Sequence, residues 1–189
     1  MFDEPLKILR LMRNFKPDWF IAGGWAIDLY TGKETRRHED IEIAIFRKDQ
    51  IALQNYLDGW VLKKAVNGTL SEWKPGERLE LPIHEIHCFK QLDEKPVFEV
   101  LLNESDGNEW MFRRNDKVRM PLPKLSLMSN LGMKFLRPEI VLLYKSKNPR
   151  PKDEQDFEIV RKHLDNESKE WLKNALSICY SEHRWLQNL

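Results

Sequence analysis

The sequence predicts an α+β fold. Residues 1–120 alternate short strands with helices, and residues 121–189 form a C-terminal helical region. Three observations lead there. Apolar runs of strand length at 19–22, 41–46 and 97–103 are separated by segments with helical spacing. Asn67-Gly68 and Asp106-Gly107 each sit between strand-like runs, where tight hairpin turns form. After Pro121 and Pro123 the texture changes to longer amphipathic segments.

The elements follow in order. Leu6, Ile8, Leu9 and Met12 lie on one face of a helix over 4–14, which Pro17 and Asp18 stop. Residues 19–22 form a strand that runs into Gly23-Gly24. The glycines open a helix over 25–30, and Gly32 ends it. The β-branched and aromatic run 41–46 is a strand. A helix over 48–57 turns Ile51, Leu53 and Leu57 inward and stops at Gly59. Residues 60–66 form the strand that enters the Asn67-Gly68 hairpin, and 68–82 are polar and rich in turns. Strands follow at 84–89 and 97–103 with a turn at 93–96 between them. The second of these pairs with 109–113 across Asp106-Gly107. Pro138 suits the first turn of a helix running to Lys147, because the donor that proline lacks is unpaired there in any case. Helices at 153–164 and 168–180 and a short one at 182–189 complete the chain.

Composition narrows the function. With 189 residues and 41% hydrophobic content the chain can bury a substantial core. No apolar run approaches the ~20 residues that span a bilayer. The first residues place acids and basic residues where a secretory signal would be apolar, so a cytoplasmic protein is expected. Cys88 and Cys179 lie far apart and read as reduced thiols. The net charge of +1, from 31 basic and 30 acidic residues, gives no general attraction to nucleic acid or membranes. Anion binding must therefore be local. A monomer or homodimer is expected.

The chemistry lies in Asp40 and Glu42. Alternate residues of a strand share a face, so these two carboxylates stand together while Ile41, Ile43 and Ile45 take the other side. Paired hard oxygen donors suit Mg²⁺ with phosphate oxygens, and two such ions stabilise an in-line displacement at phosphorus. Glu99, an acid inside the apolar run VFEVLL, is the candidate third member, since an uncompensated carboxylate there is costly. Gly23-Gly24 at a helix start leaves backbone N–H groups open to a phosphate. Arg36, Arg37 and His38 precede the acids and are candidates for neutralising it. Asp28 is read as a brace for Arg36 or the glycine turn, and Asp153 and Asp156 as acids suited to a helix start. Arg113 and Arg114, with Trp73 and Trp110, are the candidate liners of an acceptor cleft. His84 and His87, three apart in a strand, face opposite ways, and no CxxC or HExxH accompanies them, so zinc is not expected.

The segment resembles the nucleotidyltransferase superfamily with the DNA polymerase β catalytic fold, and within it the aminoglycoside and lincosamide nucleotidyltransferases. Gly23-Gly24, Asp28, Gly32, Arg36, His38, Asp40, Ile41 and Glu42 match that group's pattern. The likeness continues in order through FEVLLNE, EWMFRR, PEIVLLYKSK and KDEQDF. The second and third acids are Glu where many members have Asp, and Trp25 follows the glycines where many have Ser.

The resemblance implies a polymerase β-like mixed sheet flanked by helices, with a helical region packed on it. It implies that Asp40, Glu42 and Glu99 bind Mg²⁺, two ions in all. Glu99 would be a ligand or the general base. Nucleotide would be held by Gly23, Gly24, Arg36, His38, Lys145 and Lys152. The implied reaction transfers a nucleoside monophosphate, expected to be AMP, from an NTP to a hydroxyl of a small molecule such as an aminoglycoside or lincosamide, with release of pyrophosphate. Two alternatives stay open: modification of a protein or tRNA, as in toxin–antitoxin nucleotidyltransferases, and a non-catalytic nucleotide-binding module.

Overall fold

Acids at the start and Arg10 at the end complement the dipole of helix α1 (Asp3–Met12), which buries Pro5, Ile8 and Met12. The computed structural model describes residues 2–91 and 95–189. The turn expected at 93–96 begins outside the described residues. After α1 come β1 (Trp19–Ile21), α2 (Gly23–Thr31), β2 (Glu42–Phe46) and α3 (Gln50–Tyr56). Then follow the strands β3 (Val61–Val66), β4 (Thr69–Glu72), β5 (Glu85–Phe89), β6 (Phe98–Asp106), β7 (Glu109–Met111), β8 (Arg119–Pro121), β9 (Ser126–Met128) and β10 (Lys134–Leu136). Three helices close the chain: α4 (Pro138–Lys145), α5 (Pro151–Val160) and α6 (Asn166–Cys179). The last short segment is a 3-10 helix, Arg184–Asn188.

The sheet is mixed, in the order β4-β3-β5-β6-β2-β1-β10-β9, with β7 and β8 extending from β6. β2 runs parallel to β6 and β1 parallel to β10; the other pairs are antiparallel. Both expected hairpins form, β3–β4 across Asn67-Gly68 and β6–β7 across Asp106-Gly107.

Three expectations need correction. β9 and β10 occupy a stretch read as helical. They are three residues each, too short for periodicity to reveal, and β10 is drawn into the sheet by pairing Phe135 with Ile21. β2 buries both faces, Ala44 and Phe46 as well as Ile43 and Ile45, because it lies between β6 and β1 at the centre of the sheet. Trp110 is not a cleft liner. In β7 the neighbours Glu109 and Met111 take the half-buried face while Trp110 turns in, fully buried against Phe112, Tyr144 and Trp171. Its indole N–H donates to Asn103 Oδ1 at 2.9 Å. Trp73 is also buried, beside a second groove that contains none of Asp40, Glu42 and Glu99. Trp110→Ala is expected to cost about 3–5 kcal/mol in a urea unfolding experiment, the usual range for deleting a core aromatic.

The helices gather on one another as well as on the sheet: α4 touches α2, α5 and α6, and α5 touches α2. Pro138 and Pro151 open α4 and α5 in their first turns. Asp165 caps α6, accepting from the Ser168 amide at 2.7 Å. This packing brings α4 and the start of α5 beside Gly23, Glu42 and the middle of β6.

Candidate active site

The parallel pairing of β2 and β6 sets Glu42 directly opposite Glu99. Antiparallel pairing of β5 with β6 sets His87 beside Glu99 on the other side. Asp40 lies two residues before Glu42, just outside β2, and is exposed; its carbonyl accepts from the Trp25 indole at 3.1 Å. The register thus brings two of the acids expected from sequence, Glu42 and Glu99, opposite each other, and Asp40 precedes them outside the strand.

Their electrostatics are those of crowded carboxylates. Burial, and then the charge of Asp40, push the Glu42 carboxyl above its ordinary range, against the pull of Lys145 and Arg150. Burial raises Glu99 to about 7; His87 opposes the shift, while Glu42, Asp40 and Glu85 add to it. A doubly charged cation among these oxygens relieves both burial and mutual repulsion. The donor set, carboxylate oxygens only, fits Mg²⁺.

The glycine pair is explained by close approach. α2 begins at Gly23 with no side-chain cap, leaving its first N–H groups without intrahelical partners. Gly23 has φ +58°, and a Cβ built on it would fall inside the Glu42 carboxylate. A Cβ on Gly24 would come within 2.5 Å of Arg36 Nη2 and of the His38 ring. The turn is therefore wrapped by the residues that follow it.

Arg36 and His38 face that turn, and neither lines the cavity. Arg36 makes two 3.2 Å bonds to the Asp156 carboxylate. His38 Nε2 lies 2.5 Å from Asp28 Oδ2, its ring against Trp25 with centroids 4.4 Å apart. Asp28 also accepts from the backbone N–H and hydroxyl of Thr35, so it braces the loop before the acids. Fully buried Asp156 additionally pairs with Lys145 at 3.1 Å. Asp156→Ala would leave Arg36 without a carboxylate and Lys145 with Asp153 alone, and is expected to destabilise the fold by about 3–5 kcal/mol in chemical denaturation, with Asp156→Asn milder.

A cavity of about 310 Å³ opens beside Glu42; Asp40 and Glu99 are not in its wall. Gly23, Glu42, Glu85, Arg113, Arg114, Tyr144, Lys145 and Arg150 contribute to its wall. Lys145 also bonds Asp153 at 2.8 Å, and Arg150 bonds the same carboxylate. Asp153 is held well below the ordinary carboxylate range by those bonds, which outweigh its burial. Lys152 lies outside the cavity wall, 3.8 Å from Glu39.

Sequence reasoning missed Glu85 and His87. His87 Nε2 is 2.6 Å from Glu85, and its Nδ1 is 3.2 Å from Glu99. One ligand atom from each of the three lies within 4.8 Å of the others. Their alternation in β5 was visible, but the strand they would face was not. Arg150 was missed too, since it follows the helix segment singled out for Lys145.

The chain matches the family described as aminoglycoside-2''-adenylyltransferase over residues 5–107. A curated lincosamide resistance protein from Staphylococcus haemolyticus is 42% identical over 40 residues, 21% of this chain and 25% of that protein. The match thus spans a quarter of that relative's length. Among solved structures, the lincosamide antibiotic adenylyltransferase LnuA with lincomycin bound superposes with a TM-score of 0.59 at 19% identity, covering 87% of this chain and 98% of that one. The solution structure of the antibiotic-resistance factor ANT(2'')-Ia gives 0.60 at 16% identity, covering 94% and 91%. A crystal structure of ANT(2'')-Ia with adenylyl-2''-tobramycin gives 0.61 at 14% identity, covering 94% and 99%. At these identities the structural likeness speaks to the fold alone.

Proposed function

Because more than half of the chain matches it, the chain belongs to the aminoglycoside-2''-adenylyltransferase family, enzymes that transfer nucleotidyl groups, and we propose that this member moves AMP from ATP to a hydroxyl of a small molecule on a polymerase β-like fold, with release of pyrophosphate. The observation that carries the reading is the register pairing Glu42 with Glu99 beside a glycine turn shaped around Glu42.

Asp40, Glu42 and Glu99 would hold Mg²⁺. When bound, Mg²⁺ supplies charge stabilisation at the reacting phosphorus. The chain's own groups do the rest. The open N–H groups at the start of α2 receive phosphate oxygens, favoured by the helix dipole. Lys145, on the cavity wall, is the proposed triphosphate contact from the helical region, and Lys152, outside that wall, is the second lysine proposed to reach it. Arg36 and His38 hold the glycine turn in shape through Asp156 and Asp28. Glu99, beside His87, is the group proposed to accept the proton of the attacking hydroxyl. Positioning and fixed charge account for most of the acceleration.

The acceptor is a small hydroxyl compound, with aminoglycosides and lincosamides as the first classes to try. A screen of both classes with each NTP and Mg²⁺, read by pyrophosphate release, is the test. Turnover with ATP and one acceptor class is expected. An adenylylated protein or tRNA, found by mass spectrometry in place of any small-molecule product, would overturn the choice of acceptor.

A further inference from the structure

The cavity beside Glu42 carries more positive charge than the carboxylates in its wall neutralise. Of its cations, Lys145 and Arg150 are already bonded to Asp153, and Lys145 also to Asp156. Arg114 gives Nη1 to the backbone carbonyl of Tyr144 at 2.8 Å and pairs with no carboxylate among the described residues. Arg113 has neither a hydrogen bond nor an ion pair among the described residues. The guanidinium carbons of both lie 5.6 Å from the centre of the Tyr144 ring, so one aromatic ring holds two adjacent cations. Glu104, the acid that pulls on Arg113, is tied to Arg47 at 2.7 Å.

Two adjacent guanidinium groups on one ring repel each other. Both arginines are only partly exposed, and a guanidinium stays charged in a protein. Burial and the neighbouring charge of Arg114 both press the Arg113 pKa downward. The planar fork of Arg113 is free to make two parallel bonds, the geometry that suits a carboxylate or a phosphate. Tyr144 is itself fixed, its hydroxyl donating to Asn103 Oδ1 at 3.0 Å, so the ring positions the cations rather than following them.

We infer that Arg113 and Arg114, backed by Tyr144, form a subsite in the cavity wall for a phosphate or carboxylate group of a substrate. The inference rests on the nucleotidyl-transfer reading for the identity of the substrates, though not for the subsite itself. The group comes either from the nucleotide or from the acceptor. In the second case the acceptor is anionic near its reacting end, and a polycationic acceptor is disfavoured by like charge.

Calorimetry on the full chain tests this, with an ATP analogue that resists α,β cleavage and with inorganic phosphate as probes. Arg113→Gln is expected to weaken one of them by about 10- to 100-fold, the loss of a charge-assisted pair. Arg113→Lys is expected to fall between the two, since it keeps the charge and loses the fork. Weaker binding of the analogue alone assigns the subsite to a nucleotide phosphate. Unchanged analogue binding, with weaker phosphate binding to the analogue-loaded chain, assigns it to the acceptor. If neither probe is weakened in Arg113→Gln, or in Arg113→Lys and Arg114→Lys should the first variant fail to fold, the subsite is refuted. Phosphate binding that depends on Arg113 in a chain that releases no pyrophosphate with any acceptor would sink the nucleotidyl-transfer reading and leave the subsite standing.

Discussion

Gly23→Ala is expected to abolish transfer and to destabilise the fold by more than about 2 kcal/mol. The left-handed backbone alone costs an L-residue roughly 1–2 kcal/mol. The larger effect is steric: the new methyl group would occupy the place of the Glu42 carboxylate. Glu42 cannot simply step aside, since it sits in the central strand β2, between β1 and β6, where both faces are packed. Either the turn or the acid must move, and both belong to the proposed site. The double variant Gly23→Ala/Glu42→Ala separates the two causes. Relief of the clash makes it more stable than the sum of the single changes implies, while the backbone strain remains. Additive urea-unfolding energies would show that the close approach does not matter.

The second large effect joins activity and stability with opposite signs. Glu99→Gln is expected to lower the transfer rate by about 10²–10⁴, the usual contribution of a positioned base. The same change is expected to stabilise the metal-free protein above neutral pH. The sign follows from proton counting. The folded chain holds the Glu99 proton up to about 7, while an unfolded glutamate releases it near 4.3. Between those values the native state binds more protons than the unfolded state, so stability falls as pH rises through the window. Above about 7 the full penalty is present. Glu99→Gln removes the Glu99 share of that slope, leaving the share of Glu42, and added Mg²⁺ should reduce it in the unaltered chain. Thermal melts from pH 5 to 8, with and without Mg²⁺, measure both. A metal-free chain equally stable at pH 5.5 and 8, with no change in Glu99→Gln, would contradict the crowded-carboxylate picture.

How much of this was legible in the sequence depended on distance along the chain. The glycine pair, Asp40 and Glu42 lie within one short stretch, and their spacing alone places them together. Glu99 was legible because a carboxylate stands out in an apolar run, and the β2–β6 register brought it opposite Glu42. Other partners depend on registers that no local pattern encodes. His87 meets Glu99 only through the β5–β6 ladder. Arg36 finds Asp156 through the packing of α5 against α2, so a residue expected at the nucleotide proved to face an internal acid. Trp110 is a different case. Its inward turn follows from strand alternation, and the charged neighbours drew attention to the wrong face. The short strands β9 and β10 exist because β1 offers an edge, which is a property of the assembled sheet.

The most direct measurement needs no acceptor. Titration of the full chain with ATP, with and without Mg²⁺, reads the proposed metal–nucleotide site itself. The expected result is Mg²⁺-dependent binding that weakens at least about tenfold, ~1.4 kcal/mol, in Glu42→Gln and in Asp40→Asn while both variants keep the melting behaviour of a folded chain. Equal affinity in the parent chain and both variants, or binding indifferent to Mg²⁺, would contradict the assignment of these acids.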